Sequence, residues 1–202
     1  MNYADALFDA FMYPLEAVSL QAIRRERVTR ASGDVLELGA GTGANLDHYD
    51  GRRVRSLTLS DLTLSQRLRE RARVFGEQTG LNEESLRLNA ADAVGLPHAD
   101  ASFDTVVFTL VFCSVPDQDT ALAEVRRVLR PNGRVIFVEH VRPAGPVGHL
   151  VDRLNPVWHA VTRECNINRD TAGAIRRAGF RVMDLRVSGG GLLIDGVAAR
   201  AE

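Results

Sequence analysis

The stretch VLELGAGTGANL, residues 35–46, decides how the chain is read. An apolar run carries one acid, Glu37, and then meets glycines at 39, 41 and 43. Apolar residues in that density suit a strand covered on both faces, and alternating glycines let the backbone turn tightly and approach a ligand with its amides free to donate. The stretch is expected to be a strand breaking into a nucleotide-cradling turn. On the glycines alone two ligand classes stay open, because G-x-G-x-x-A, with Ala44 last and Asp61 at ribose-holding distance, also satisfies a dehydrogenase fingerprint.

Further β-type runs follow on the C-terminal side: SLTLSD from Ser56, SLRLNAAD from Ser85, FDTVVFTL from Phe103, RVIFVEHV from Arg134, RVMDLRV from Arg181 and GLLIDGVAARA from Gly191. With the first, that makes seven candidate strands. Helical spacing fills the gaps among the first five, in LSQRLRERARVFGEQTG from Leu64 and DQDTALAEVRRVL from Asp117, the latter expected to stop at Arg130 before Pro131-Asn132-Gly133. The alternation predicts an α/β fold with a mostly parallel sheet and helices on both faces. Only Ser188-Gly189-Gly190 separates the last two runs, which implies a hairpin and an antiparallel final strand. One domain over 1–202 is expected, divided into an N-terminal helical cap (1–33), a core (34–141), an insert and helix (142–180) and a C-terminal strand hairpin (181–202).

Composition removes several function classes. All 25 basic residues are arginine, so P-loop phosphate binding, Schiff-base chemistry and the Tyr-x-x-x-Lys pair of short-chain dehydrogenases are excluded. A net charge of -1 without like-charge runs argues against nucleic acid as a partner. No apolar stretch reaches the roughly 18 residues of a membrane span, and Asp5 and Asp9 stand where a signal peptide carries positive charge. With Cys113 and Cys165 far apart and outside any CxxC spacing, a cytoplasmic setting is the simplest expectation.

Ligands of open α/β sheets bind beyond the C-terminal strand ends, so acids placed there carry weight. Glu37 precedes the glycine turn, where it could accept from turn amides or, through water, meet a cationic ligand. Asp61 closes the second strand, where a carboxylate accepts both ribose hydroxyls. Asp92, after the third, is placed to accept from an adenine amino group while Ala93 offers a backbone amide. Dehydrogenase fingerprints do not require Glu37, and its presence counts against the dehydrogenase reading.

The ordered set ELGAGTG from Glu37, SDLT from Ser60, DAVGLPHADASFD from Asp92 and ALAEVRRVLRPNGR from Ala121 resembles the successive motifs of class I S-adenosylmethionine-dependent methyltransferases. The resemblance implies a Rossmann-like sheet of seven strands with the last antiparallel. It also implies S-adenosyl-L-methionine as cofactor, with S-adenosyl-L-homocysteine as product. Glu37, Gly39, Ala40, Gly41 and Gly43 would line the methionine end, Asp61 the ribose, Asp92 and Ala93 the adenine, Leu62 the base face and Leu110 the sulfonium side. VFCSVPDQ from Val111, EHVRP from Glu139 and NPVWHAVTRECNINRDT from Asn155 are similar to segments of the microsomal thiol methyltransferases and their small bacterial relatives, although the long hydrophobic anchor of the microsomal proteins is lacking.

That likeness implies S-methylation of a small-molecule thiol. Phospholipid N-methylation and quinone-pathway C-methylation share the core motifs, and a cofactor-binding regulator or assembly partner is the non-enzymatic alternative. Any base is expected to be His140, at the end of the fifth strand beside the acceptor. Tyr13, Trp158 and His159 are assigned to the acceptor side. The apolar N-terminal positions Leu7, Phe8, Phe11, Met12, Leu15 and Val18 suit a packed helix, a lid or a peripheral membrane contact. Neither cysteine has a local basic partner of the kind that would mark a nucleophile, so no catalysis is assigned to them, and no His/acid cluster has metal spacing, so no metal is expected. Acceptor identity and oligomeric state are not legible at this level.

Overall fold

A computed structural model describes residues 20–162 and 165–201. Seven strands form one sheet: β1 (Gly33–Leu38), β2 (Val54–Asp61), β3 (Leu86–Ala90), β4 (Phe103–Thr109), β5 (Leu129–His140), β6 (Phe180–Ser188) and β7 (Leu193–Arg200). Their spatial order is β3-β2-β1-β4-β5-β7-β6. The pairings within β3-β2-β1-β4-β5 are parallel, whereas β7 runs antiparallel to both β5 and β6. The expected fold class and the antiparallel last strand are therefore present.

The period-2 geometry of the central strands explains why both faces are apolar. Leu36, Leu38, Val106, Phe108, Val135 and Phe137 point into one core layer, while Val35, Val107 and Ile136 point into the other. Helix α2 (Gln66–Thr79) covers the second layer with Leu68, Ala72 and Phe75, spaced as one helical face. It starts at Ser65, whose hydroxyl accepts from the Leu68 amide, and stops at Gly80, in the left-handed conformation at φ 78°. Helix α3 (Gln118–Val128) covers the first layer through Ala121, Leu122, Val125 and Val128, and is capped by Asp117 accepting from the Thr120 amide at 3.0 Å. It ends two residues earlier than expected. Leu129 is already extended and pairs with Phe103, and regular pairing resumes at Arg134 after the Pro131-Asn132-Gly133 turn.

Two helices occupy the segment between β5 and β6: α4 (Gly145–Thr162) and α5 (Thr171–Arg177). Ala174 and Ile175 of α5 join the first core layer. On α4, Val147, Leu150, Leu154, Val157 and Val161 form an exposed apolar row at alternating spacings of three and four residues. Among the described residues no helix is long and apolar enough to cross a membrane. The apolar positions 7 to 18 read from sequence, and Tyr13 with them, lie outside the described residues.

The described N-terminal helix, α1 (Gln21–Val28), is attached by ionic as well as apolar contacts. Arg27 is 2% exposed and donates through Nε to Asp195 of β7 at 2.5 Å and through its terminal nitrogens to Asp184 of β6. Arg186 also binds Asp195, at 2.9 and 3.0 Å, and reaches Glu26 of α1 at 2.8 Å. Asp195 is completely buried, so its two guanidinium partners offset the large penalty of holding a carboxylate away from water. Arg27→Ala is expected to destabilise the fold by about 3 kcal/mol, because Arg186 alone would then face that buried carboxylate. Urea unfolding of the variant checks this, and a change below about 1 kcal/mol would exclude the pairing as a structural clasp.

Candidate functional site at the carboxyl ends of the strands

The glycine turn lies where β1 ends. Gly39 and Gly41 have φ of 65° and 56°, a region that side chains with a Cβ rarely occupy. They differ in surroundings. A Cβ on Gly39 would lie 2.3 Å from Cγ2 of Val111, whereas one on Gly41 would meet nothing nearer than 4.0 Å. Gly39 thus lets the loop after β4 pack onto the turn, and Gly41 leaves open space above it.

Glu37 is buried beneath this turn. Its carboxylate accepts from Asn45 Nδ2 at 2.9 Å and from the Tyr49 hydroxyl at 2.7 Å, rather than from turn amides as expected. Arg24 of α1 completes the network by donating to Asn45 Oδ1 at 2.8 Å and to Thr109 Oγ1 at 3.2 Å. Burial pushes the Glu37 carboxyl up to about 7, against the pull of Tyr49, Asn45 and Arg24. The sequence reading missed Arg24, Asn45 and Tyr49. Asn45 does lie within the opening stretch, but its role depends on an arginine 21 residues away.

The turn amide that finds a carboxylate is Gly41 N–H, which donates to Asp61 Oδ2 at 2.8 Å. Asp61 is the last residue of β2 and also accepts from the Thr63 amide at 3.2 Å. Leu62 follows, with 72% of its surface exposed, an apolar side chain presented at the edge of the turn. Asp92 lies two residues beyond the end of β3, exposed, with Oδ1 accepting from the Val94 amide at 3.1 Å. Ala93 is half-buried against the first core layer. The side chain of Ala40 belongs to the other core layer, so it can meet a ligand only through its backbone. An open glycine turn, a strand-end carboxylate fixed to it and an exposed apolar side chain beside both are features that fit a nucleoside ligand with a ribose.

Beyond β4 the chain enters a second built region. Leu110 has φ 57°, a strained conformation for a residue with a side chain, and its amide donates to the Val138 carbonyl at 2.8 Å. The next three amides, of Val111, Phe112 and Cys113, all donate to the carboxylate of Glu139, at 2.8, 2.9 and 3.1 Å. Glu139 is fully buried, and burial raises its carboxyl to about 7 against those three amides and His140. Strand-end position alone did not single it out from sequence.

This loop is tied in turn to the segment after α4. Asn166 donates its backbone amide and its side-chain amide to the Cys113 carbonyl, at 2.8 and 3.2 Å. Arg169 donates to the Phe112 and Val115 carbonyls. Asn155 of α4 binds both Asn166 Oδ1, at 3.1 Å, and the Ile167 amide, at 3.0 Å. These bonds carry Cys165 to the end of β5, where its sulfur lies 3.4 Å from Nδ1 of His140. Contact with the Cys113 thiol, His140 and Trp158 holds Cys165 below the ordinary thiol range, while contact with Cys165 and burial push Cys113 up. Cys165 therefore has the basic partner that sequence neighbours did not supply. Trp158 is half-buried beside it, and His159 is exposed on α4.

Fold and site together define a nucleoside-cofactor enzyme class of the Rossmann-like kind. Residues 36–137, about half of the chain, match the methyltransferase domain family, and the chain belongs to that family, whose cofactor is S-adenosylmethionine. It is 36% identical over 155 residues to thiol S-methyltransferase TMT1A of Homo sapiens, covering 75% of this chain and 62% of that one. It is also 36% identical over 121 residues to phosphatidylethanolamine N-methyltransferase of Cereibacter sphaeroides, covering 59% and 57%. The chain thus spans about three-fifths of the length of the curated relatives it matches. A solved SAM-dependent methyltransferase from Aquifex aeolicus shares the fold, with a TM-score of 0.61 and 17% identity over 94% of this chain and 96% of that one.

Two outcomes follow from the turn. Gly39→Ala is expected to lower stability by about 1 to 3 kcal/mol, since the new methyl would overlap Val111 and occupy a positive φ, whereas Gly41→Ala would carry the backbone penalty alone. Equal destabilisation in thermal melts would refute the packing role of Gly39. For Glu37, the raised folded pKa means that its contribution to stability is complete below the unfolded value near 4.3 and is lost as pH rises through about 7. Between pH 5 and 8 the stability of Glu37→Gln should gain on that of the native protein by on the order of 1 to 3 kcal/mol. Urea unfolding at both pH values measures the difference, and parallel pH profiles would exclude the shift.

Proposed function

We propose that the chain is an S-adenosylmethionine-dependent methyltransferase acting on a small apolar thiol. The observation that carries the cofactor half is the Asp61 carboxylate fixed to the Gly41 amide beside exposed Leu62 and an unobstructed turn. On this reading Asp61 accepts from the ribose hydroxyls, Leu62 covers one face of the base, Asp92 and the Ala93 amide meet its edge, and Leu110 bounds the reactive end. Likeness to a thiol S-methyltransferase over three-quarters of the chain supports the acceptor half.

The bound cofactor supplies a methyl group on a positively charged sulfur. The residues around it have to align the acceptor, since transfer is an in-line displacement that removes charge and positioning supplies much of the acceleration. A thiol near its ordinary pKa of about 8.5 requires little further activation. His140, with Cys165 and Trp158, stands at the acceptor end and shapes that position.

A second reading, N-methylation of a phospholipid, is favoured by the apolar row along α4, which would suit an acyl-chain acceptor or its membrane surface, and by the likeness to phosphatidylethanolamine N-methyltransferase. Incubation with methyl-labelled S-adenosylmethionine and either alkyl and aryl thiols, phosphatidylethanolamine vesicles or a demethylated quinone precursor distinguishes the acceptors. Labelled thioether is the expected product; label appearing only in lipid or quinone would replace the thiol reading, and label in none would leave a cofactor-binding regulator. In calorimetric titration, Asp61→Ala should weaken cofactor binding by about 1 to 3 kcal/mol through the unpaired hydroxyls it leaves, and unchanged affinity would refute the ribose assignment.

A further inference from the structure

Cys113, His140 and Cys165 lie on three separate parts of the chain: the loop after β4, the last residue of β5 and the segment after α4. Their potential ligand atoms nevertheless all fall within 4.8 Å of one another. Two thiols and an imidazole form a soft donor set of the kind that selects zinc over magnesium or calcium. With Zn–S near 2.3 Å and Zn–N near 2.0 to 2.1 Å, a tetrahedral centre sets its sulfur and nitrogen ligands about 3.6 Å apart. The Cys165 sulfur and His140 Nδ1 are separated by 3.4 Å, close to that spacing.

The surroundings hold these ligands in place. Glu139 fixes the Cys113 amide, Asn166 fixes the Cys113 carbonyl twice, and Asn155 anchors the segment that carries Cys165. Such hydrogen bonds around a ligand set limit its reorganisation when a metal enters.

We propose that Cys113, His140 and Cys165 form a three-ligand zinc site whose fourth position binds the acceptor thiolate. The site itself stands on the geometry above; its open position as an acceptor subsite rests on the thiol reading of the function. The acceptor R–SH gives up its proton to solvent on binding the metal. Its sulfur lone pair then forms the new S–CH3 bond while the methyl–sulfonium bond breaks and that electron pair stays with the departing sulfur. R–S–CH3, a much weaker ligand than the thiolate, leaves the metal. His140 is a ligand in this scheme rather than a base. The location suits the step, because Val111, which packs on Gly39 of the cofactor turn, is only two residues from Cys113.

The test uses the whole chain, purified reduced and without chelator, with no polyhistidine tag. Elemental analysis is expected to find one zinc per chain. Replacement with Co2+ should produce a thiolate-to-cobalt charge-transfer band and the intense visible bands of a four-coordinate centre. Cys165→Ser and His140→Asn, at less buried positions than Cys113, should each lose the metal while retaining the native circular dichroism spectrum and S-adenosylmethionine binding. Substoichiometric zinc with no cobalt spectrum would overturn the proposal, and so would a spectrum that persists in both variants. Addition of 2-mercaptoethanol should raise the charge-transfer intensity about 1.5-fold, three thiolates replacing two; an unchanged band would overturn the acceptor subsite. None of these readouts depends on methyl transfer, so failure of the thiol reading and failure of the metal site are separately visible.

Discussion

Three successive amides converging on the buried carboxylate of Glu139 set the shape of the region on which the site depends. Left to itself, the chain after β4 would have to satisfy those N–H groups with water or leave the sheet. Glu139 satisfies all three from the neighbouring strand, and this allows Leu110 to remain in a strained left-handed conformation and Val111 to press onto Gly39. The glycine turn after β1 and the loop after β4 are consequently one packed unit. Such a carboxylate cannot be replaced by an apolar residue of similar size without orphaning three buried donors.

The two ends of the site are supported differently. At the glycine turn, Glu37 is buried against Asn45 and Tyr49, with Arg24 behind Asn45, so the acid within the glycine motif stiffens the turn from below. Asp61 and Asp92 are the acids that remain accessible. At the other end the decisive contacts are between main-chain carbonyls of the β4 loop and side chains of the segment after α4, chiefly Asn166 and Arg169. The insert is thereby joined to the core through polar bonds, with the apolar row of α4 left facing outward.

Much of the fold was legible in the sequence because it follows from local patterns. The apolar runs, the Pro131-Asn132-Gly133 break and the glycine-rich final hairpin each act over a few residues. Helix α3 ends early for a non-local reason: pairing of Leu129 with Phe103 takes the residue into the sheet. Site residues divide in the same way. Gly39, Gly41 and Asp61 sit at strand ends that a pattern can locate, whereas the roles of Arg24, Arg27, Glu139 and the Cys113–His140–Cys165 group depend on contacts between distant segments. Two arginines of α1, Arg24 and Arg27, are among the buried charges that join the helix to the sheet. The grouping of Cys113, His140 and Cys165 has no local signature for a similar reason, since the two cysteines are 52 positions apart in the chain and the imidazole comes from a third element.

The clasp that fastens α1 to β6 and β7 is built from guanidinium groups, which retain their charge far into alkaline solution. Raising pH does not discharge it. It yields from the acidic side instead, where Asp184, held below the usual carboxylate range by Arg27 and Arg30, finally takes up a proton. Arginine in these positions also means that the interior cations offer no primary amine. Acylating agents and aldehyde cross-linkers, which modify lysine-based ion pairs and dissolve them chemically, have no corresponding point of entry at this joint.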